Sequence, residues 1–381
     1  MLVEGDRTTF RRESLFRRLV SSLLPRQALA GRRRFLGMTL GTGGGLAIAT
    51  IGGCTTAQAD GEGEPIRLEP DVALLTDRHI ARYDDMNVAM QAIERALSAQ
   101  IANALVAPPR HSVEFADRGS LVFTVGGATG DSSLAGFRVY DTFEAPEDAR
   151  RTQVVAVWNS NTAELRGLVF GELLGQVRTG AIGGVAIRLM SRRDSRIAGV
   201  IGSGRQARTQ LAAAAAARPL TEARVYSRSA DNRGQFAQEM TARLGIPVRA
   251  VTSGQEAVEG ADIVLIATTA TRPVIEAGWL APGAHVNTVG PKSRGEQELG
   301  LDVADAAALI ASDSPEQARE YRPAFFLDGT RHMERMVNLA ELWKRQDALE
   351  REPDSITLFC SVGLAGTEVF VADAIIAATS A

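Results

Sequence analysis

The fold is decided by the stretch Val200-Ile201-Gly202-Ser203-Gly204-Arg205-Gln206-Ala207, which has the pattern G-x-G-x-x-A. An apolar run before it, Ile197–Ile201, predicts a buried strand, and residues 207–217 after it predict a helix. In that setting the first glycine permits a tight turn, the second lets a pyrophosphate approach the backbone, and the small third residue lets helix and strand pack closely. The N–H groups at the helix start attract phosphates. Residues 202–207 therefore predict a dinucleotide-binding loop.

The end of the next predicted strand, residues 223–226, bears on which dinucleotide is bound. Proteins that bind NAD usually place an acid there, hydrogen-bonded to the ribose 2′-hydroxyl. This chain instead has Ser227, Arg228, Ser229 and Arg233. Serine and arginine can bind a 2′-phosphate, which an acid would repel, and arginine can do so bidentately. We therefore expect NADP(H) rather than NAD(H), with a solvated turn and a surface arginine as the alternative.

From Arg196 onward, apolar runs that predict strands alternate with helical patterns. The further strands span residues 261–267, 284–289 and 307–311, and a further helix spans 233–244. This alternation predicts an α/β fold with a doubly wound parallel sheet of the Rossmann type.

Four residues at or just after the ends of two of these strands are further candidates for cofactor contact. They are Thr268, Thr269, Val289 and Gly290. The two threonines can equally cap a turn, so both interpretations stay open for them.

A β-rich region precedes the Rossmann-type pattern. Apolar residues at helical spacing predict one helix over residues 77–105, with Asp77 as its N-cap. A second helix is predicted over residues 175–190, and its glycines indicate close packing. Four strands lie between these helices, at residues 120–125, 136–142, 153–158 and 165–170.

The first 59 residues resemble a bacterial Tat signal. They contain Arg32-Arg33-Arg34-Phe35-Leu36, then a weakly apolar run, then a lipobox-like Ile51-Gly52-Gly53-Cys54. We expect an exported protein, periplasmic or attached to the membrane through lipidated Cys54. Cleavage at Ala57-Gln58-Ala59 is the second interpretation, and a basic extension of a cytoplasmic protein is the third. Residues 60–70 are predicted to be a linker.

Composition argues against several other kinds of function. The net charge of −3 and an aromatic content of 5% give no reason to expect a nucleic-acid partner. Two cysteines are too few for a disulfide framework or a thiolate zinc site. The four histidines lack metal-ligand spacing, so no metal is predicted.

With these residues in hand, the chain resembles the ornithine cyclodeaminase/mu-crystallin family, from about Pro108 to the C-terminus. Five segments carry the resemblance in combination. They are Leu174-Gly175-Gln176-Val177-Arg178-Thr179-Gly180-Ala181, residues 199–211, Ala261-Asp262-Ile263-Val264, Pro282-Gly283-Ala284-His285-Val286-Asn287, and Ser361-Val362-Gly363-Leu364-Ala365.

The resemblance implies a Rossmann domain inserted in a smaller split α+β domain for substrate binding and dimerisation. We therefore expect a homodimer with the split domain at 71–190 and 331–381 and the Rossmann domain at 191–330. The implied activity is hydride transfer to or from the α-carbon of an imino, amino or 2-oxo acid, as in pyrroline-2-carboxylate reductases and alanine dehydrogenases. Ornithine cyclodeaminase, which releases ammonia, and a non-catalytic NADPH-binding protein are the alternatives.

The resemblance also implies residue roles. Arg110, in a Pro-Arg pair, and Arg178-Thr179 stand where the family holds the substrate carboxylate. The chain departs from the family at two positions: Arg138 stands in place of the active-site lysine, and Lys292 in place of the acid after Val289-Gly290. Arginine is a poor proton donor, and a cyclodeaminase would lack its carboxylate.

These departures lead to a hypothesis about the substrate. Arg110, Arg138, Arg178 and Lys292 are expected to converge, with Glu368 as the one acid. Converging cations need anionic compensation, so we expect a dianionic substrate such as a dicarboxylic imino or keto acid. Lys292, its pKa lowered by the other cations, would be the acid/base that Arg138 cannot be. The alternative is that Lys292 points outward and Arg138 only binds a carboxylate.

Overall fold

A computed structural model describes residues 66–68, 72–82, 85–144 and 152–379, all within one compact unit that spans Asp60–Ala381. The predicted export signal and most of the predicted linker lie outside the described residues. Residues 66–68 form a strand, so the linker prediction is wrong there. Within the described ranges, no helix is both long enough and apolar enough to span a membrane.

The described strands form two large sheets and a small hairpin. The first sheet contains β1 (Ile66–Leu68), β2 (Val72–Thr76), β3 (Leu105–Val106), β4 (His111–Glu114), β5 (Ser120–Ala128), β6 (Leu134–Asp141), β7 (Gln153–Asn159) and β8 (Leu165–Gly171). The strands that follow are β9 (Ile197–Ile201), β10 (Glu222–Tyr226), β11 (Val248–Ala250), β12 (Ile263–Ile266), β13 (His285–Thr288), β14 (Lys292–Ser293), β15 (Glu296–Gln297), β16 (Ala307–Ser312), β17 (Val337–Asn338) and β18 (Ile356–Cys360). Of these, β14 and β15 pair as the hairpin, and the rest form the second sheet.

The described helices pack on these sheets and connect them. In chain order they are α1 (Asp77–Arg82), α2 (Met86–Ile101), α3 (Leu173–Met190), α4 (Arg205–Ala217), α5 (Ala230–Leu244), α6 (Gly254–Val258), α7 (Leu301–Ala306), α8 (Pro315–Arg319), α9 (Arg331–Glu334), α10 (Leu339–Lys344) and α11 (Thr367–Ala378).

The first sheet has the order β1-β2-β8-β7-β6-β5-β3, with β4 also paired to β5. Only the β2–β8 pair is parallel among its described neighbours. The four strands predicted between residues 120 and 170 are confirmed as β5 to β8. One face of this sheet packs on α11, where an ideal Cβ on Gly136 would lie 2.8 Å from Cγ1 of Val369. The other face is half-exposed.

The single helix predicted over residues 77–105 is wrong, because the structure has two helices, α1 and α2. Asp85 caps α2 by accepting a hydrogen bond from Asn87 N at 2.8 Å. Among the described residues, Asp77 accepts no hydrogen bond from its own helix. Its carboxylate accepts from Leu173 N at 2.9 Å and Glu172 N at 3.2 Å, at the start of α3. The N-cap signal was therefore real but serves a helix 96 residues away in the chain.

The second sheet is entirely parallel among the described strands, in the order β11-β10-β9-β12-β13-β18-β16-β17. The predicted α/β fold with a doubly wound parallel sheet is confirmed. The chain leaves β9 towards β10 on one side and returns to β12 on the other. Such a reversal opens a ligand site at the carboxyl ends of the strands, which we call the carboxyl edge. The opposite end of the sheet is the amino edge.

The strand near the C-terminus lies in a different sheet from the one expected. The prediction assigned residues 331–381 to the first domain, but β18 lies in the second sheet between β13 and β16. Its run Leu358, Phe359 and Cys360 is fully buried, as is usual for parallel strands covered on both faces. Of the last described elements, α11 is the one that packs on the first sheet.

Helix α3 joins the two domains and carries residues of the site. An ideal Cβ on Gly180 would lie 2.8 Å from Cβ of Thr209, and one on Gly183 would lie 2.3 Å from Oε1 of Gln210. The close packing predicted from the glycines is therefore confirmed, against α4. Gln210 Nε2 also donates to Thr179 O at 3.0 Å. The middle of helix α3, residues 179–183, is thus fixed to α4 of the second domain.

Candidate active site

The loop between β9 and α4 has the shape that a pyrophosphate requires. Gly202 has φ +109°, and an ideal Cβ there would lie 2.2 Å from Ala267 O, so only glycine fits. Gly204 has no neighbouring heavy atom within 4 Å of its ideal Cβ, which leaves its backbone open to a ligand. Ala207 is fully buried where the helix meets the strand. These are the three properties predicted from the G-x-G-x-x-A pattern.

The first turn of α4 offers backbone N–H groups without a side-chain cap to a phosphate. Gly204 is its N-cap, and no described side chain caps the helix. Arg205 is exposed and ion-paired with Glu172, whose carboxylate lies just before α3. The Oε1 atom of Gln206 is buried and has no hydrogen-bond partner among the described residues. Uncapped N–H groups and the helix dipole make this end of α4 a suitable anion site.

The residues predicted to read the 2′-position lie together after β10. Ser227 Oγ lies 2.9 Å from Ser203 Oγ, so it adjoins the dinucleotide loop. Ser229 caps α5, and Arg233 Nη1 donates to Ser227 O at 3.0 Å. Arg228 is exposed and, among the described residues, makes no hydrogen bond or ion pair. All its donors are therefore available to a 2′-phosphate.

A buried glutamate that sequence reasoning missed joins the ends of β12 and β13. Glu298 Oε2 accepts from Thr268 N at 2.9 Å and Thr268 Oγ1 at 2.8 Å. Glu298 Oε1 accepts from Thr288 Oγ1 at 2.6 Å, Gly290 N at 2.6 Å and Val289 N at 3.1 Å. The hydroxyl of Thr268 is thus committed to this carboxylate. Its neighbour Thr269 is exposed.

Three residues from three elements form a buried charge cluster, which we call the Glu368 cluster. Arg138 on β6 places Nη1 2.6 Å from Glu368 Oε1, and Arg178 on α3 donates Nη2 to the same oxygen. Their side chains are 13%, 5% and 2% exposed for Arg138, Arg178 and Glu368. Glu368 Oε2 and the Nε atoms of both arginines are buried without a partner among the described residues. The cluster therefore keeps one free acceptor and two free donors.

The two arginines control the ionisation of this carboxylate. Burial alone would raise the pKa of Glu368, but Arg178 and Arg138 outweigh it and lower that pKa below its ordinary value. Burial lowers the pKa of Arg178, and Glu368 opposes that shift. Glu368 is therefore ionised at neutral pH.

Arg110 reaches the same place through the loop that follows β18. Its Nη2 donates to Gly363 O at 2.9 Å, and an ideal Cβ on Gly363 would lie 2.8 Å from Nη1 of Arg178. Asp313 holds this loop, because its carboxylate accepts from Val362 N at 2.7 Å and Leu364 N at 2.5 Å. Sequence reasoning missed Asp313, although an acid two residues after the predicted strand 307–311 was a usable signal.

Lys292 lies on β14 and is only 3% exposed, so the alternative in which it points outward is wrong. Its Nζ donates to Gly290 O at 2.7 Å. Burial lowers the pKa of Lys292, while Glu298, Cys360 and Asp313 oppose the shift. The predicted lowering is correct in direction but not in cause, since neighbouring cations do not produce it. Within the described residues, Lys292 makes no hydrogen bond or ion pair with the Glu368 cluster or Arg110.

Tyr140 and Thr124 adjoin Arg138, whereas the predicted substrate-binding residue Thr179 has its hydroxyl occupied. The ring of Tyr140 lies 4.4 Å from Cζ of Arg138. Thr124, directly opposite Arg138 in the β5–β6 register, has a buried Oγ1 without a partner among the described residues. The Thr179 hydroxyl donates to Gly175 O at 2.8 Å within its own helix. Thr124 and Tyr140 could not be found from sequence, because strand register decides which residues adjoin Arg138.

Comparison with known proteins identifies a matching family and similar solved structures. Residues 71–380 match the family model described as the ornithine cyclodeaminase/mu-crystallin family. A protein of Rhizobium meliloti (strain 1021) named as a dehydrogenase is 38% identical over 167 residues, 44% of this chain and 50% of that protein. This chain thus spans half the length of that relative.

Two further comparisons cover most of the chain. A delta(1)-pyrroline-2-carboxylate reductase of Bacillus cereus is 27% identical over 301 residues, 76% of this chain and 90% of that protein. The solved structure of Thermococcus litoralis delta(1)-pyrroline-2-carboxylate reductase in complex with NADH and L-proline superimposes with a TM-score of 0.70. It is 29% identical and covers 80% of this chain and 96% of that one.

Proposed function

We propose, on the premise that this chain belongs to the ornithine cyclodeaminase/mu-crystallin family, that it is an NADP(H)-dependent oxidoreductase. It transfers hydride to or from the α-carbon of an imino, amino or 2-oxo acid. The observation that carries this proposal is the Glu368 cluster, at the N-terminus of the helix reached from β18 of the nucleotide-binding sheet. The B. cereus and T. litoralis relatives named above, both pyrroline-2-carboxylate reductases, support the same class of reaction.

The charges of the site favour a carboxylate substrate with a second negative group. Arg138 and Arg178 pair with Glu368, and Arg110 reaches the same place through the loop after β18. Asp313 adds a second negative charge, which acts on Arg178 although backbone N–H groups hold its carboxylate. Three guanidinium groups against two carboxylates leave one positive charge, which a substrate carboxylate would balance. A second negative group on the substrate, as in a dicarboxylic imino or 2-oxo acid, would accept from the buried Nε of Arg138, which has no partner among the described residues.

Each residue of the site then has a defined task. Arg110 and Arg178 bind the carboxylate, and guanidinium groups suit it because they donate bidentately. Glu368 Oε2, the free buried acceptor, receives a hydrogen bond from the substrate nitrogen and so orients the α-carbon. The reduced nicotinamide, when bound, supplies the hydride.

Lys292 is the candidate acid/base. Its lowered pKa brings it closer to neutral pH, where proton transfer is most efficient. Arg138 is the second catalytic candidate, acting by charge rather than by proton transfer.

Lys292 also argues against ornithine cyclodeaminase, because a buried ammonium group stands where ammonia release would need a carboxylate. An NADPH-oxidation assay distinguishes an enzyme from a non-catalytic binding protein.

The choice between NADP(H) and NAD(H) depends on the residues after β10. The loop of residues 202–207 suits any dinucleotide, so it does not discriminate. Arg228 has all its donors uncommitted among the described residues, and no acid follows the strand directly. NADP(H) is therefore favoured over NAD(H).

The chain pairs with a second copy through the half-exposed face of the first sheet. The β5–β6–β7 register places Val125, Phe137 and Trp158 on that face, with the rings of Phe137 and Trp158 5.7 Å apart. Val125 is 46% exposed. An apolar aromatic sheet face is typical of subunit interfaces. Light scattering should give the mass of a dimer, and Phe137→Lys should give monomer; a monomeric wild type would contradict this.

The protein is exported by the Tat route and held at the membrane through lipidated Cys54. Support comes from the sequence alone, namely the arginine triplet before an apolar run and the lipobox-like end. Mass spectrometry of the mature N-terminus tests this. An acylated Cys54 supports attachment, cleavage after Ala59 supports a free periplasmic protein, and an intact N-terminus contradicts export.

The substrate proposal is tested by following the absorbance of reduced nicotinamide. The compounds are delta(1)-pyrroline-2-carboxylate, pyruvate with methylamine, and oxaloacetate with methylamine. The last two differ by one carboxylate, so they form a matched pair. NADPH oxidation with any of them supports an oxidoreductase, and faster turnover of oxaloacetate supports the dianionic substrate. NADPH binding without oxidation of any compound would favour the binding protein.

A further inference from the structure

A cavity of about 910 Å³ lies at the amino edge of the second sheet, away from the site described above. Its walls include the end of α3 and residues 189–194, the starts of β16 and β18, and residues 346–353. Leu189, Leu309 and Leu349 give it an apolar part. It belongs to no step of the proposed reaction.

Arginines dominate the lining of the cavity. Five line it: Arg188, Arg192, Arg193, Arg218 and Arg351. The lining acids, Asp194, Asp347, Glu350 and Glu352, are all exposed. Arg188 pairs with Glu94, and Arg192 pairs with Asp194 and Asp262, so these two charges are offset.

The other three arginines, Arg193, Arg218 and Arg351, have no acidic partner within ion-pair distance among the described residues. Arg218 is 8% exposed and donates to backbone carbonyls, including Arg188 O and Arg192 O, each at 2.7 Å. Those bonds cap the end of α3 and account for Arg218 structurally. They do not neutralise its charge.

The hydrogen bonds of Arg351 involve only one of its three guanidinium nitrogens. Its Nη2 donates to Gly283 O and Ser355 O, each at 2.6 Å. Its Nε and Nη1 are buried and have no partner among the described residues. Burial, together with nearby guanidinium groups, lowers the pKa of Arg218 and of Arg351 to about 10. Asp194 opposes the shift of Arg351 but forms its ion pair with Arg192. Two charged groups are thus held together without an ion-paired anion, at a cost that a bound anion would reduce.

We propose that this cavity is a second ligand site, for a small anion with an apolar body such as an aromatic carboxylate or sulfonate. The guanidinium groups of Arg193 and Arg351 bind the charge, and the three leucines contact the apolar part. Arg193 is exposed and has no partner among the described residues, so it is available without rearrangement. This site is independent of the proposed function, because it shares no residue with the carboxyl edge.

The test uses the full protein saturated with NADPH and the fluorescent probe 8-anilinonaphthalene-1-sulfonate, a sulfonate with an apolar ring system. Arg193→Glu is compared with Arg196→Glu, a matched exposed arginine that does not line the cavity. Both variants change the net charge equally. We expect Arg193→Glu to weaken probe binding about fivefold or more and Arg196→Glu to change it less than about twofold. Equal effects of the two variants would overturn the proposal.

Two further measurements fix the chemistry of the ligand. Arg351→Gln, with its fold checked by circular dichroism, should weaken probe binding as Arg193→Glu does; unchanged binding in the folded variant would remove Arg351 from the site. Benzoate should displace the probe at lower concentration than inorganic phosphate. Displacement by phosphate at equal or lower concentration would overturn the apolar part of the proposal.

Discussion

Arginines gather at both edges of the second sheet, but they have different partners. At the carboxyl edge, Arg138 and Arg178 share one carboxylate oxygen of Glu368. At the amino edge, Arg218 and Arg351 donate to backbone carbonyls and have no acidic partner among the described residues. The first set is a charge cluster that can exchange an internal partner for a substrate. The second set is mainly structural and keeps an uncompensated charge.

The difference shows that residue type does not reveal what an arginine does. A guanidinium group that caps a helix and one that binds substrate are identical in the sequence. The partner tells them apart: an acid and an orphaned acceptor at the carboxyl edge, carbonyl groups at the amino edge. Variants at the carboxyl edge and at the amino edge should therefore differ in their effects on activity and on stability.

The largest effect is expected for Arg178→Met. This variant removes a buried donor that binds substrate carboxylate, so kcat/KM should fall about 100-fold or more. It also leaves Glu368 with one partner instead of two, which should lower the free energy of unfolding by about 3 kcal/mol. Steady-state kinetics and urea unfolding measure the two effects. Arg95→Met is the control, since its pair with Asp373 is at 3.6 Å and half-exposed, and should change stability by less than about 1 kcal/mol.

Arg218→Met at the amino edge should act on stability. The variant leaves carbonyls at the end of α3 without donors, at a cost of about 2 to 4 kcal/mol in the free energy of unfolding. Urea unfolding measures this. A loss below about 1 kcal/mol would mean that the guanidinium group is not structural there.

Gly204→Ala should weaken cofactor binding without harming the fold. Nothing lies within 4 Å of the ideal Cβ, so stability should change by less than about 0.5 kcal/mol. NADPH affinity, followed by nicotinamide fluorescence, should fall about tenfold because the methyl group occupies the pyrophosphate approach. Gly202→Ala is the counterpart and should destabilise the fold, since its Cβ would meet Ala267 O. Unchanged NADPH affinity in Gly204→Ala would contradict the assignment of the loop.

Arg228→Ala should change the choice of cofactor. Loss of a charge-assisted contact to the 2′-phosphate should raise the KM for NADPH about tenfold and leave the KM for NADH unchanged. The comparison of both cofactors in one variant is the internal control. An equal change for both would show that Arg228 acts on the loop rather than on the phosphate.

The smallest effect is the pH dependence that Lys292 gives to stability. Its pKa in the folded protein lies below its ordinary value of 10.5, so between the two values the unfolded chain binds more protons. The free energy of unfolding of the wild type should therefore rise with pH in that window, relative to Lys292→Met, by at most about 1.4 kcal/mol per pH unit. Urea unfolding at several alkaline pH values measures it. A difference that stays flat or falls with pH would mean that Lys292 is not held in a desolvated site.

The nucleotide-binding half could be predicted from sequence because its signals are local. The turn at Gly202, the exposed backbone at Gly204 and the packing of Ala207 are all indicated by one short pattern, G-x-G-x-x-A, although the atom that excludes a side chain at Gly202 belongs to the distant Ala267. Four of the eight described strands of the first sheet, β5 to β8, were likewise found from their composition and flanking turn residues. The membership of β18 was missed because a short buried strand does not indicate which sheet it joins.

The substrate half could be predicted only in part. The resemblance placed Arg110, Arg138, Arg178 and Glu368 correctly in one region, although Arg138 and Glu368 are 230 residues apart in the chain. Lys292 was expected to converge with them, but among the described residues it makes no hydrogen bond or ion pair with any of the four, and its Nζ donates to Gly290 O. Glu298 was missed because its partners lie at the ends of two strands, β12 and β13, that only the folded sheet brings together. Asp313 had a signal in its position after a strand, but its partners, Val362 N and Leu364 N, are 49 and 51 residues away in the chain.

Hydride transfer to the α-carbon is tested most directly by isotope transfer. The protein is incubated with NADPH carrying two deuterium atoms at nicotinamide C4 and with delta(1)-pyrroline-2-carboxylate or the preferred imino acid. Mass spectrometry and proton NMR of the product should find one deuterium, located on the α-carbon. A product without deuterium, or cofactor that stays fully labelled and reduced while bound to the protein, would contradict the proposed reaction.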